Sequence, residues 1–296
     1  MQNFIMRSHR AFSLGTALLL FALALAGCSA LRMGYAGGDT FVYWWLNGYV
    51  NFDDDQKPWV RRHIGELFSW HRQTQLTRYA QLLAEVRQRL PSGRATPAQV
   101  QADFRTIRQH AGTLLEQALP ALTDVALSIR PHQIAHLEQK FAADNDKYRK
   151  AWLSGTLEDR QALRFKKFMQ HAEYWFGDFS AEQKARLRTV SDARPLDNAV
   201  LLNERMRRQR ELIGMLRKWQ TEKPTRQAVT AMLRAYLIRS IERIPAAEHK
   251  EFFAASEQGM AHMVALVVNT ATPAQREHAM KRLQKLIEDC ETLRAA

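Results

Sequence analysis

Residues 96–129 read TPAQVQADFRTIRQHAGTLLEQALPALTDVALSI and predict a long α-helix. Thr96 suits an N-cap, Pro97 the first helical position, and Gln99 the third position, where its side chain can close a capping box. Pro120 cannot donate to the carbonyl of Glu116, so we expect a kink there. Apolar residues recur at the spacing of one helical face, namely Val100, Phe104, Ile107, Leu114, Leu115, Leu119, Leu122, Val125 and Ile129.

The rest of the chain repeats this pattern. Thr272–Gln275 has the same Thr-Pro-Ala-Gln start, and Arg130–Gln133 and Ser180–Gln183 are variants of it. No segment alternates with period two, so we predict an all-α fold, a multi-helix array or bundle of about eight to ten helices without a β-sheet. Short linkers indicate that residues 39–296 form one domain or two closely packed helical lobes. Helices are predicted over 53–90, 96–129, 131–153, 157–176, from 180, and over 196–220, 225–242, 246–269 and 273–294. Asp53 and Gln56 fit a capping box at the start of the first of these.

The first thirty residues are typical of an export signal. Two arginines precede an apolar run over 11–26, which is shorter than the roughly 20 residues of a transmembrane helix. The run ends in Leu25-Ala26-Gly27-Cys28, which resembles the bacterial lipobox. The resemblance implies a lipoprotein signal peptide over 1–27, lipidation of Cys28, and a lipidated tether over 28–38. The alternative is an uncleaved anchor with an incidental cysteine.

The residue after the lipobox indicates the compartment. Ser29 follows Cys28, whereas an aspartate at that position is typical of retention at the inner membrane. By resemblance to Gram-negative lipoproteins, we expect the chain to be lipid-anchored on the periplasmic face of the outer membrane. Cys28 would then be consumed by lipid, and Cys290 would be the only thiol, which we interpret as a small buried side chain rather than a nucleophile.

The chain is strongly basic, with 43 Lys and Arg, 30 Asp and Glu, and a formal net charge of +13. An exported protein meets little nucleic acid, so we expect the basic surface to contact anionic lipid or an acidic envelope protein, and not nucleic acid. A solvated helix face is the alternative. The candidate anionic contact consists of Arg205, Arg207, Arg208 and Arg210.

An aromatic stretch follows the tether. Residues 40–50 read TFVYWWLNGYV, and most of them are large and apolar. A helix that is apolar on every side is expected to be buried, so we expect this one to pack into the domain. Docking of 41–50 into the bilayer interface is the alternative, because tryptophan and tyrosine concentrate there.

One polar and aromatic cluster is the best candidate for chemistry. Glu66 and His71 could act as acid and base. The alternative is a structural histidine, buried beside an aromatic core and bonded to a carbonyl, with a surface arginine next to it. The full cluster is His63, Glu66, Trp70, His71, Arg72 and Tyr79.

The sequence offers little support for a metal or cofactor. His132 and His136 are four residues apart and could share a metal, but we see no third ligand at a suitable spacing. There is no phosphate-binding Gly-rich loop and no nucleophile elbow. We therefore expect no metal and no cofactor.

Two segments together resemble a known family. Trp70–Leu76 with Tyr79 is the first segment, and Tyr174–Gln183, which reads YWFGDFSAEQ, is the second. Both are similar to segments of a family of uncharacterised proteobacterial lipoproteins, classed as a domain of unknown function. This chain differs at Phe176 and Phe179, where the family pattern has leucine. The resemblance implies a compartment and a helical fold, but no activity.

These features favour a binding, scaffold or chaperone-like module anchored to the outer membrane. Its expected partners are the membrane, through the N-terminal lipid, and an envelope protein or anionic lipid. The alternative is an envelope enzyme that acts on a glycan, peptide or lipid through the Glu66–His71 region. We consider an enzyme the weaker interpretation, because no catalytic frame is recognisable.

Overall fold

The protein is all helical over the part that the computed structural model describes, which is Arg32 and residues 34–295. This confirms the predicted fold class, and the described residues contain no strand. Short 3₁₀ turns at Leu90–Ser92 and Ala247–His249 interrupt the series. From Gly38 onward the α-helices are α1 Gly38–Val50, α2 Lys57–Thr74, α3 Leu76–Arg89, α4 Pro97–Ser128, α5 Pro131–Trp152, α6 Leu157–Phe176, α7 Ala181–Asp192, α8 Asn198–Glu222, α9 Arg226–Ile241, α10 Lys250–Thr270 and α11 Pro273–Ala295.

The helix starts follow the predicted capping chemistry. The Thr96 hydroxyl accepts from the Gln99 amide at 3.2 Å, and the Gln99 side chain accepts from the Thr96 amide at 2.9 Å. Ser180 and Gln183 form the same reciprocal pair, as do Thr272 and Gln275. Each box satisfies two backbone donors that the first turn of a helix leaves without a partner. The helix α4 continues through Pro120.

The helix predicted over 53–90 is wrong in two details. It begins at Lys57 and divides at Gln75 into α2 and α3. The carboxylate of Asp53 does not cap the helix, because it instead accepts from Arg130 at 2.5 Å and lies 3.1 Å from His132. The division has a packing reason, since α2 lies against α1 and α4, whereas α3 packs along α11.

The core has two main parts that α4 connects. One part joins α1, α2, α4, α5, α8 and α9, and includes Tyr43, Leu119 and Trp219. The other consists of smaller clusters among α3, α4, α6, α7, α10 and α11, in which Leu187 packs with Met263. None of the described helices is long and apolar enough to cross a membrane.

Candidate functional site around His71

His71 lies in the last turn of α2, between two tyrosines. Its Nδ1 is hydrogen-bonded to the hydroxyl of Tyr35, and its Nε2 lies 3.1 Å from the hydroxyl of Tyr79. Burial lowers the pKa of His71 to about 4, so the imidazole is neutral near pH 7. A neutral ring carries one donor and one acceptor nitrogen, so one tyrosine donates to the ring and the other accepts from it.

Apolar and aromatic groups surround this histidine. Phe68 meets the Tyr35 ring edge-on at 5.9 Å, and the guanidinium of Arg72 lies 5.9 Å from the centre of the same ring. Tyr35 shares a buried cluster with Leu76 and Cys290. Burial raises the pKa of Cys290 to about 11, so its thiol is protonated at neutral pH. Its burial is as the sequence predicts.

The predicted cluster divides into two groups. His71, Arg72 and Tyr79 gather around Tyr35, with the Trp70 ring 6.4 Å from that of His71.

His63 and Glu66 form the other group, a surface pair with 3.0 Å between Nδ1 and Oε2. Glu66 and His71 are five residues apart on one helix and therefore point about 140° away from each other. In this arrangement Glu66 neither orients the His71 ring nor stabilises a positive charge on it. Both ring nitrogens of His71 already have tyrosine partners.

The sequence missed Tyr35, the second hydroxyl on His71. Tyr35 lies in the segment predicted to be a tether, yet it is buried. Arg32, three residues before it, donates from Nε to the fully buried carboxylate of Asp289 at 2.7 Å. The folded body therefore includes residues as early as Arg32. Sequence spacing could not reveal this contact, because its two residues stand at opposite ends of the chain.

The arginines of the candidate anionic contact are not equivalent. Arg207 donates to Glu204 at 2.9 Å and to Glu211 at 3.4 Å, so its charge is already paired. Burial lowers the pKa of Arg208. Of the four predicted residues, Arg210 is exposed, whereas Arg205, Arg207 and Arg208 are partly buried. The patch available to a partner is smaller than the sequence suggests.

Four glutamines that the sequence identified only as capping residues also join distant helices. The amide of Gln133 donates to Gln56 at 2.6 Å, and Gln56 donates back at 3.3 Å. Gln183 and Gln275 make the equivalent reciprocal pair at 2.9 and 3.3 Å.

Each glutamine also donates to the carbonyl five residues before its partner. The four acceptor carbonyls are those of Ser128, Asn51, Thr270 and Asp178. The same junction thus occurs once in each part of the core. Gln133, Gln183 and Gln275 stand at the third position of their helices, and Gln56 directly precedes α2. The shared glutamine near a helix start was the only signal for the junction in the sequence.

The two histidines considered as metal ligands have separate partners. His132 lies 3.1 Å from a carboxylate oxygen of Asp53, and Nε2 of His136 lies 3.3 Å from the carbonyl of Gly48. Within Arg32 and residues 34–295, no three His, Cys, Asp or Glu residues are grouped as a metal site.

Comparison with known families places the chain. Residues 48–235 match the Family of unknown function (DUF6279), which is more than half of the chain. The chain belongs to this family. The two motif segments that carry the resemblance, 70–79 and 174–183, lie inside the matched residues. The matched region also contains the whole of α2, α3 and α6. No curated protein and no solved structure matches the chain.

Proposed function

We propose that this protein is a lipid-anchored binding module on the periplasmic face of the outer membrane. The observation that carries the proposed anchor is the lipobox-like Leu25-Ala26-Gly27-Cys28. The contact of Arg32 with Asp289 supports a position close to the membrane, because it brings the folded body to within four residues of Cys28. Four extended residues span at most about 14 Å. A lipid on Cys28 would therefore hold the domain against the membrane surface, and not on a long tether.

Anchoring is tested by replacing the lipid acceptor. Cys28→Ala should leave the protein without lipid and remove it from the outer-membrane fraction. Mass spectrometry of the N-terminal peptide of the unchanged protein should show acyl chains on Cys28, whereas Ser29→Ala should leave both properties intact. A Cys28→Ala protein that fractionates as the unchanged protein does would overturn the anchor.

The binding partner is proposed to be an envelope protein with an acidic surface. Arg210 supports this, because its side chain is exposed on α8 while its neighbour Arg207 is paired with two glutamates. A photo-crosslinking amino acid at position 210 should capture one stoichiometric protein in intact cells. The matched control is position 226 on α9, since Arg226 is exposed but bonded to Asp124 at 2.9 Å. Equal capture at both positions, or none at 210, would argue against this surface.

A further inference from the structure

The helix α1 has a buried face and an exposed aromatic face. Tyr43 and Val50 lie in the core. The opposite side, which we name the outer face of α1, consists of Phe41, Trp44, Trp45 and Gly48. These residues are three, four and seven positions apart and therefore share one side of the helix. The expectation that this aromatic stretch is buried on every side is correct for only half of it.

The outer face of α1 holds the strongly exposed aromatic side chains of the described residues. Phe41, Trp44 and Trp45 are 60%, 62% and 37% exposed. Apart from its own chain neighbours, a side chain added at Gly48 would meet nothing within 4 Å among the described residues, so there is open space beside this position. No charged residue occurs between positions 40 and 52. Exposed leucines and isoleucines elsewhere, such as Leu157 at 52%, belong to other helices and loops.

The outer face follows directly after the segment nearest to the predicted lipid. Arg32 is fixed to Asp289, and Tyr35 is buried on α2 and α11. A side chain added at Gly38 would lie 2.7 Å from the ring of Phe68, so the start of α1 also packs closely on α2. Phe41 is thirteen residues from Cys28, and Arg32, Tyr35 and Gly38 within that span contact the domain.

We propose that the outer face of α1 docks on the lipid bilayer, with Phe41 and Trp44 at the level of the head groups. The inference rests on the proposed lipid anchor, which places α1 beside a membrane. A bilayer suits the face better than a protein groove does, because exposed tryptophan and phenylalanine without charge are typical of the membrane interface. Arg61 of α2 is exposed and lies 3.5 Å from the centre of the Tyr43 ring, which in turn meets the Trp44 ring edge-on at 6.1 Å. It therefore adds a cation for lipid phosphates at the edge of the outer face.

An environment-sensitive fluorophore at position 48 tests the docking. Gly48→Cys places the label on the outer face and leaves both aromatic residues in place. Cys28 carries lipid in this protein and Cys290 is buried, so labelling is selective. The full lipidated protein is reconstituted into vesicles of phosphatidylethanolamine and phosphatidylglycerol. We expect a blue shift of emission and quenching by spin-labelled acyl chains, neither of which a label at Leu157→Cys should show.

A second variant separates docking from anchoring. Phe41→Ser with Trp44→Ser should abolish the shift at position 48, while the lipid keeps the protein floating with the vesicles. In the Cys28→Ala background, the double serine change should lower vesicle binding by about tenfold or more, because it removes the two aromatic side chains that the bilayer would bury.

Three outcomes would overturn the docking. The first is flotation with no shift at position 48, which leaves the anchor standing. The second is an equal shift at positions 48 and 157. The third is a shift that needs no vesicles and rises with protein concentration, because it would assign the face to a second copy of the chain. Loss of flotation in the parent protein would instead count against the anchor, and the Cys28→Ala binding comparison would still decide the docking.

Discussion

A neutral histidine between two tyrosine hydroxyls makes the stability of the fold depend on pH. The pKa of His71 is about 4 in the folded protein because the ring is buried, against 6.5 for an ordinary histidine. Between these values the unfolded chain binds more protons than the folded one, so the free energy of unfolding falls as pH falls. The contribution is complete above about pH 6.5 and is at most about 3 kcal/mol.

His71→Gln tests this coupling, because an amide keeps a donor and an acceptor but does not titrate. Urea unfolding of both proteins at pH 7 and pH 4.5 should show a larger loss for the unchanged protein on acidification. Other buried histidines such as His110, whose pKa burial also lowers, are present in both proteins and cancel. Equal losses would show that His71 is not the group that responds.

A second prediction at this scale concerns the ion pair that attaches the N-terminal segment. Asp289 is fully buried, its Oδ1 accepts from Arg32, and its Oδ2 has no hydrogen-bond partner among the described residues. Arg32→Gln should lower the free energy of unfolding by about 1–3 kcal/mol, because a buried acceptor loses its donor. In a double-mutant cycle, adding Asp289→Asn should recover part of this loss. A strictly additive double mutant would indicate that the two side chains do not interact.

At the scale of elements, the glutamine junctions give a prediction that helix capping alone does not. Gln133→Ala removes both a capping partner and the reciprocal bonds with Gln56, and each of these glutamines is only 1% exposed. We expect a loss of about 1–3 kcal/mol in the free energy of unfolding. Gln99 is the matched control, because it closes a capping box at an exposed position and should cost about 1 kcal/mol or less. Similar losses in the free energy of unfolding at both positions would show that the junction does not stabilise the fold beyond helix capping.

The helices also show which parts of the fold could be predicted from the sequence. Helix starts such as Thr96–Gln99 were predictable because a capping box is local, and its partners are three residues apart. The Gln56–Gln133 pair was not predictable, because it depends on which two loops meet in space. Tyr79 was included with His71 in the predicted cluster, because the two stand close together in the sequence. Tyr35 was assigned to the tether, because three nearby glycines suggested a flexible segment.

At the scale of the whole molecule, the residues that match the family do not form a complete hydrophobic core by themselves. The match ends at residue 235, inside α9, and leaves α10 and α11 outside it. These two helices supply the partners of several residues inside the match. Leu187 packs on Met263, and Leu76 packs with Cys290. The C-terminal helices therefore complete the second part of the core.

A chain that ends at residue 245 tests whether the two parts fold separately. It keeps α9 whole but exposes Leu76, Leu187 and Val100, which are at most 5% exposed in the full chain. Each buried aliphatic side chain contributes about 1.5–3 kcal/mol, against a total stability of about 5–15 kcal/mol. We expect the shortened protein to bind a hydrophobic dye and to lose a cooperative urea transition, with the full-length chain as control. Cooperative unfolding at the full-length midpoint would instead establish two independent lobes that share only α4 as a link.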